Sequence, residues 1–254
     1  MEAWRFLDLE EADGYWNMAV DEAIAKARGE GVVPNTLRFY MWRPSAVIIG
    51  FFQSVDEEVD QEECRRQGID IVRRISGGGA VLNSSGGVFT YTIAIGGDDP
   101  RMAGDIVDSY RVLCGGLIEG LSILGLKGEF KPINDIVVRG RKISGNAQVR
   151  KYGVVLHHGT LLIDFDPHLM ARVLRISEEK LRDKMLKEAE ERVTTIRREI
   201  GRDVSLWEVR DAMLEGFRRA LNVELVPGRL SRYEEELARE LRKKYSSPEW
   251  IYRR

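Results

Sequence analysis

The chain has 254 residues, 43% of them hydrophobic, with 39 Lys and Arg against 41 Asp and Glu and a formal net charge of −2. That length supports one folded domain with a sizeable core, and the balanced charge excludes the global basic field of nonspecific nucleic-acid binders. Two cysteines, Cys64 and Cys114, are too few for a disulfide framework or a structural zinc site.

The start, MEAWRFLDLEEADG, lacks a basic segment followed by an apolar one, so no secretion signal is expected and the chain reads as cytoplasmic. Apolar runs stay far below the about 20 residues of a membrane span. Asp13 is placed to cap a helix in which Trp16, Ala19, Val20, Ala23, Ile24 and Ala27 share one face. Residues 36–42 and 46–50 read as strands around Arg43-Pro44, a polar helix near 57–67 stops at Gly68, and 69–75 forms the next strand. After Ser76-Gly77-Gly78-Gly79 come strands at 79–83 and 87–95, then the longest helix, 102–124, with Tyr110, Leu113, Leu117 and Leu121 on one stripe. Strands at 134–139, 142–149 and 153–163 follow, the first two joined by Arg139-Gly140-Arg141. Short helices are expected over 167–190 and 205–220, a strand over 222–226 and a last helix over 230–243.

Strands and helices neither strictly alternate nor fully segregate, which predicts an α+β fold, a mixed β-sheet flanked by helices, as one domain over 1–254. Of 25 glycines, 22 precede residue 177, while residues 177–254 are charge-rich and read as helical with solvated faces. Only ten Asn and Gln beside 31% charged residues resembles the bias of proteins from hot environments.

The strongest local feature is Arg73-Arg74-Ile75-Ser76-Gly77-Gly78-Gly79-Ala80. Three glycines let backbone N–H groups approach a ligand, and two arginines and a serine add donors suited to a phosphate or carboxylate. A mobile turn with a solvated arginine pair fits that segment equally well. It is neither a Walker A loop, lacking Gly-Lys-Ser/Thr, nor a dinucleotide fingerprint. Further on, Lys142 opens a strand beside Ser144, Gly145, Asn146 and Gln148. It either points into a cleft, where it would stabilise charge on a reacting oxygen, or is an exposed lysine in a basic hairpin. Asp135 reads as a Mg²⁺ ligand, a lysine partner or a turn carboxylate. His157 and His158 alternate across a strand, so they cannot both bind one metal, and one is expected to face the cleft. Cys114 reads as a core residue and Cys64, between Glu63 and Arg65, as a surface one; neither has a base nearby in sequence.

Taken in order, these segments resemble the lipoate–protein ligase A family of the lipoate/biotin ligase superfamily. Asn17-Met18-Ala19-Val20-Asp21-Glu22 is similar to the family's first-helix element, and Arg73 through Val81 to its R-R-x-[ST]-G-G-G-A-V loop. Asn134-Asp135-Ile136 and Gly140 through Ala147 are similar to N-D-[IL] followed by G-x-K-[IV]-[SA]-G-x-A. His157-His158-Gly159-Thr160-Leu161-Leu162 resembles its H-H-G-T-L-L strand, and Arg192-Val193-Thr194 a later R-V-[TS] element. The likeness extends over about residues 5 to 250.

The resemblance implies a class II biotin/lipoate ligase-like catalytic domain that joins lipoate and ATP into lipoyl-AMP, with Mg²⁺, and passes the lipoyl group to one carrier lysine. It implies Lys142 as the catalytic residue, with Arg74, Ser76, Gly77, Gly78, Gly79, Asn83, Asn134, Asp135, His158, Gly159 and Thr160 binding ligand and Asp135 holding metal. The acyl tail is expected in an apolar tunnel lined from the first helix and by Val47 to Gly50. Implied partners are lipoyl domains of 2-oxoacid dehydrogenase complexes and the glycine-cleavage H protein, with neither nucleic acid nor membrane. Two departures stand out. Asn83-Ser84 and Gly86-Gly87 replace the family's His-Asp and Gly-Asn, and the sequence stops four residues after Trp250, so a separate small subunit is expected to supply the accessory domain. An octanoyl- or lipoyl-transferase of the same superfamily is the alternative; its cysteine lies just before the lysine hairpin, where Glu129-Phe130-Lys131-Pro132-Ile133 has none. A non-catalytic lipoyl-AMP binder is the third reading.

Overall fold

The computed structural model describes residues 1–175, 186, 187 and 190–253. Buried Trp4 and Phe6 alternate with half-buried Arg5, and Glu2–Ala12 forms a strand, β1, that the sequence-based elements omitted. The first helix, α1 (Gly14–Gly29), starts as predicted: the Asp13 carboxylate accepts the Trp16 N–H at 2.8 Å. Strands β2 (Thr36–Trp42) and β3 (Ala46–Ile49) follow. The predicted polar helix is two pieces, α2 (Val55–Glu58) and α3 (Gln61–Gln67), because Asp60 starts a new cap on the Glu63 N–H.

Next come β4 (Asp70–Arg73), β5 (Val81–Asn83), β6 (Val88–Gly96) and α4 (Ile106–Ile123). Helix α4 begins later than predicted, since Asp105 and Asp108 form its capping box. A short edge strand, β7 (Gly128–Lys131), precedes β8 (Asp135–Val138), β9 (Arg141–Lys151) and β10 (Val154–Leu162). Helices α5 (Pro167–Val173), α6 (Ile196–Ile200) and α7 (Leu206–Leu221), strand β11 (Val223–Pro227), and helices α8 (Arg232–Tyr245) and α9 (Pro248–Ile251) complete the described elements. Most of the helix expected between 174 and 190 lies outside the described residues.

The large sheet has the order β11-β1-β2-β6-β10-β9-β8-β7. β1 is parallel to β11 and β2 and every other pair is antiparallel, so the sheet is mixed and helix-flanked as expected. A second sheet, β4-β3-β5, stands beside it. On one face of the large sheet, Phe39, Tyr91 and Ile93 pack against Leu113 and Leu117 of α4 and Met213 and Phe217 of α7. On the other, Tyr40, Trp42 and Leu156 pack against α1 and against Ala238, Leu241 and Tyr245 of α8.

The charge-rich C-terminal region therefore also supplies core. Buried Glu22 on α1 accepts from Lys244 Nζ at 2.6 Å and from the hydroxyls of Tyr245 (2.7 Å) and Tyr152 (2.6 Å). Burial pushes its carboxyl up, but these donors outweigh burial and hold it below the usual range. A third cluster, on the far side of the small sheet, contains Cys64. Cys64 is 1% exposed, correcting the surface placement: its charged neighbours face outward while its own position on α3 faces Val47 and Val59. No described helix is long and apolar enough to cross a membrane.

Candidate active site

Between the two sheets lies a cavity of about 360 Å³, within the range of small-molecule sites. Its apolar lining comes from Met18 on α1, Tyr40 and Trp42 on β2, Ile48 on β3 and Leu82 on β5. Of the stretch Val47 to Gly50 expected to line a tunnel, only Ile48 lines this cavity, beside Met18 of the first helix; Gly50 lies outside the lining, as do Val47 and Ile49. Those two alternate to the opposite face of β3 and pack in the cluster around Cys64.

Lys142 lines the same cavity. β9 places it through a bulge, because Ile136 pairs with Ser144 and Val137 with Lys142, leaving Ile143 as the extra residue. The side chain runs across Gly145, where a Cβ would stand 2.9 Å from both Cε and Nζ. It ends 2.7 Å from Asp135 Oδ1, an electrostatic contact rather than an aligned hydrogen bond. Asp135 therefore pairs with the lysine, one of the roles foreseen for it. Among the described residues no three metal-capable side chains converge.

Beside them, Asn134 and Asn146 lock reciprocally. Asn146 Nδ2 donates to the Asn134 carbonyl at 2.9 Å, and Asn134 Nδ2 donates to the Asn146 carbonyl. The Tyr91 hydroxyl donates to Asn146 Oδ1 at 2.8 Å. The Asn146 carboxamide passes directly over Gly159 on β10, where a Cβ would lie 1.8 Å from Oδ1. Only glycine leaves room for that crossing. Thr160 Oγ1 reaches the Gly145 carbonyl at 3.4 Å.

The structure separates the paired histidines. His158 lines the cavity, sharing a 2.7 Å hydrogen bond with Ser76 Oγ through Nε2. His157 turns to the opposite face of β10, against Tyr110 and the Tyr91 hydroxyl. Burial pushes both imidazoles down to about 3, and Arg74 adds to the effect at His158. His158 Nδ1 lies 3.9 Å from Asp21 Oδ2, but with a neutral ring the two form no ion pair.

The glycine loop is less open than its sequence suggests. Gly78 and Gly79 line the cavity, whereas Ser76 is fully buried and Gly77 lies under the Phe52 ring. Arg74 lines the cavity with its guanidinium folded onto the loop, donating to the carbonyls of Gly77 (2.7 Å), Gly79 (2.9 Å) and Ile48 (3.2 Å). Burial lowers it to about 10, so it stays charged at neutral pH. Arg73, paired with Arg74 in sequence, is wholly buried and structural: it donates to carbonyls of Gly50, Phe51, Gln53, Trp250, Ile251 and Arg253. Neither arginine is the solvated cation of a mobile turn.

Asn83 lines the cavity, 3% exposed, and its Oδ1 has no partner. At Gly87 any side chain would force a shift of its neighbours, since a Cβ there would be 2.4 Å from Ser84 Oγ and 3.0 Å from the Asp164 carbonyl oxygen. Residues outside the predicted site also line it, notably Tyr40, Trp42, Thr90 and Val193. Both cysteines are buried outside the cavity lining, and burial pushes their thiols up to about 11 at Cys64 and about 12 at Cys114.

A mixed sheet thus frames a largely apolar cavity that carries Lys142 and two glycines of the glycine-rich loop in its lining. The profile of the lipoyl protein ligase A/B catalytic domain matches residues 13–218, and the chain belongs to that family. It is 38% identical over 276 residues to the octanoyltransferase LipM of Kyrpidia tusciae, covering all of both chains. It superposes with a TM-score of 0.88 and 34% identity on a bi-partite lipoate protein ligase from Thermoplasma acidophilum, described with its E2 lipoyl domain, covering 99% of this chain and 97% of that one. A lipoate-protein ligase A bound with ATP gives 0.83 and 33%, covering 99% of each. The chain is therefore an enzyme of the superfamily that attaches lipoyl or octanoyl groups.

Proposed function

We propose that this chain is the catalytic domain of an ATP-dependent lipoate–protein ligase, a single unit over residues 1–254 working with a separate accessory subunit in the cytoplasm. One observation carries this reading over thioester transfer: the chain's two cysteines are buried, protonated and outside the cavity lining, while a lysine is inside it. A thioester mechanism needs an accessible thiolate, which burial disfavours here. Relatedness to an octanoyltransferase favours the second reading, acyl transfer from a carrier thioester, and this site lacks its nucleophile.

In the ligase reading the acyl tail lies against Met18, Tyr40, Trp42, Ile48 and Leu82, with its carboxylate toward Lys142. Attack of that carboxylate on the α-phosphate of ATP forms the acyl-AMP anhydride as the bond to the β-phosphate breaks and pyrophosphate leaves; the step joins two anions, and Lys142, Arg74 and the N–H groups of Gly78 and Gly79 offset the repulsion. Arg74 would exchange loop carbonyls for ligand oxygens. Ser76 and Gly77 act from behind, Ser76 by holding His158 and Gly77 by anchoring Arg74. Asn134, His158, Gly159 and Thr160 complete the wall, and Asn83 offers its unpaired carboxamide to the ligand.

Asp135, whose Oδ1 has no hydrogen-bond partner, would be the residue to hold Mg²⁺, and the ion would neutralise phosphate charge. In transfer, a carrier lysine attacks the acyl carbon, AMP leaves, and Lys142 steadies the oxyanion. The partners are lipoyl domains of 2-oxoacid dehydrogenase complexes and the glycine-cleavage H protein.

The test is intact-mass analysis of an unmodified lipoyl domain incubated with synthetic lipoyl-AMP and either the native chain or a Cys64→Ser/Cys114→Ala variant. Equal lipoyl gain by both supports the ligase. Loss confined to a folded cysteine-free variant, or a mass gain from an octanoyl carrier thioester without nucleotide, would move the assignment to thioester transfer.

A further inference from the structure

Lys142 is held from behind by a strap that also lines the cavity. Val193, a lining residue, pairs with Lys142 in an isolated parallel bridge, and the Thr194 N–H donates to the Lys142 carbonyl at 2.8 Å. The strap is tied down by Glu199 on α6, whose side chain has no exposure. Glu199 Oε1 accepts the Thr194 hydroxyl at 2.5 Å and Arg141 Nη2 at 2.6 Å. Its Oε2 faces Arg139 at 3.4 Å without a hydrogen bond.

One carboxylate thus gathers three neighbours of Lys142: the preceding residue of its strand, the residue bonded to its backbone, and the arginine of the hairpin turn. The lysine leaves that strand at the bulge, where the ladder itself is interrupted. At such a point the carbonyl bond to Thr194 constrains the Lys142 backbone from the side opposite β8, and Glu199 constrains Thr194. A buried carboxylate persists when its charge and hydrogen bonds are matched, as Arg141 and Thr194 match this one.

We propose that Glu199 is a positioning residue for Lys142, setting the direction in which its ammonium enters the cavity. The proposal rests on Lys142 being the group that meets the acyl-adenylate, and it goes beyond that reading by assigning the control of Lys142 to a carboxylate outside the cavity lining.

Two measurements test it with the full chain. In transfer from synthetic lipoyl-AMP, Glu199→Gln is expected to lower kcat about tenfold with the carrier KM within about twofold. The same substitution in a Lys142→Ala background is expected to cost nothing further, since it acts through the lysine. Equal losses in both backgrounds would overturn the proposal.

The second measurement is independent of activity: acetylation of Lys142 by acetic anhydride, read by peptide mass spectrometry against Lys127 and Lys131. Glu199→Gln is expected to raise the Lys142 rate at least about threefold and leave the references unchanged. An unchanged Lys142 rate would overturn the proposal even if the native chain transferred no lipoyl group, a result that would separately sink the ligase reading. Should Glu199→Gln fail to fold, Thr194→Val deletes one hydroxyl at nearly constant volume. It is expected to show the same two signs, and the absence of both would overturn the proposal.

Discussion

Replacing Lys142 by alanine separates the fold from the chemistry. Its side chain is 44% exposed and that of its partner Asp135 30%, so the pair is largely solvated and its loss costs at most about 1 kcal/mol. In a chain of this size that lowers Tm by no more than about 4 °C. The stem crosses Gly145 rather than filling the core, so no cavity opens beneath it. In the reaction the same ammonium is a preorganised donor to a developing oxyanion, and loss of such a donor costs about 2.7–4 kcal/mol, a 10²–10³-fold fall in kcat. The assay is the time course of lipoyl mass gain on a lipoyl domain from synthetic lipoyl-AMP, which bypasses adenylation, with thermal melting alongside. A variant that melts normally and transfers within tenfold of the native rate would refute the role given to Lys142.

Stability should also depend on acid through the two buried histidines. Their folded values, about 3, lie below the unfolded 6.5, so the stability from keeping them neutral is present above pH 6.5 and is lost as pH falls toward 3. At pH 5 each has forfeited about 2 kcal/mol, and His157→Gln should shrink the pH 7.5-to-5 stability difference by that amount in urea titrations. Asp21 and Asp70, raised by burial, act in the opposite direction in both proteins and cancel from the comparison. An identical pH dependence in variant and native chain would count against the burial argument. Gly159→Ala should cost about 1–3 kcal/mol and slow transfer, because its Cβ displaces the Asn146 carboxamide. Native stability and rate in that variant would contradict the crossing described here.

Much of the framework was legible locally. The Asp13 cap, the strands on either side of Arg43-Pro44 and the three consecutive strands after residue 133 all follow from neighbours within a few residues, as capping and alternation do, whereas alternation left Lys142 open between a cleft and an exposed position. The glycine loop, the lysine segment and the paired histidines were visible as motifs, and together they carried the resemblance that the family match bears out. β1 was missed although Trp4 and Phe6 alternate, because its parallel pairing with β11 joins residues more than 200 positions apart.

Other features were decided only by tertiary structure. Chain sequence presents Arg73 and Arg74 as equals; the fold spends Arg73 on carbonyls near the C-terminus and leaves Arg74 at the cavity. Sequence likewise offers two adjacent histidines, and it is the face of β10 turned toward Ser76 that selects His158. Cys64 looked exposed from its charged neighbours, and the packing of α3 against the small sheet buries it. Glu199 carries no motif at all, yet it converges with Arg141 across 58 positions. Periodicity, caps and turn chemistry act over one or two helical turns or a strand, so the amino-acid order by itself determines elements and motifs. Which charges are desolvated, and which side chains meet, depends on sheet order and on burial between distant segments, and that only the assembled fold decides.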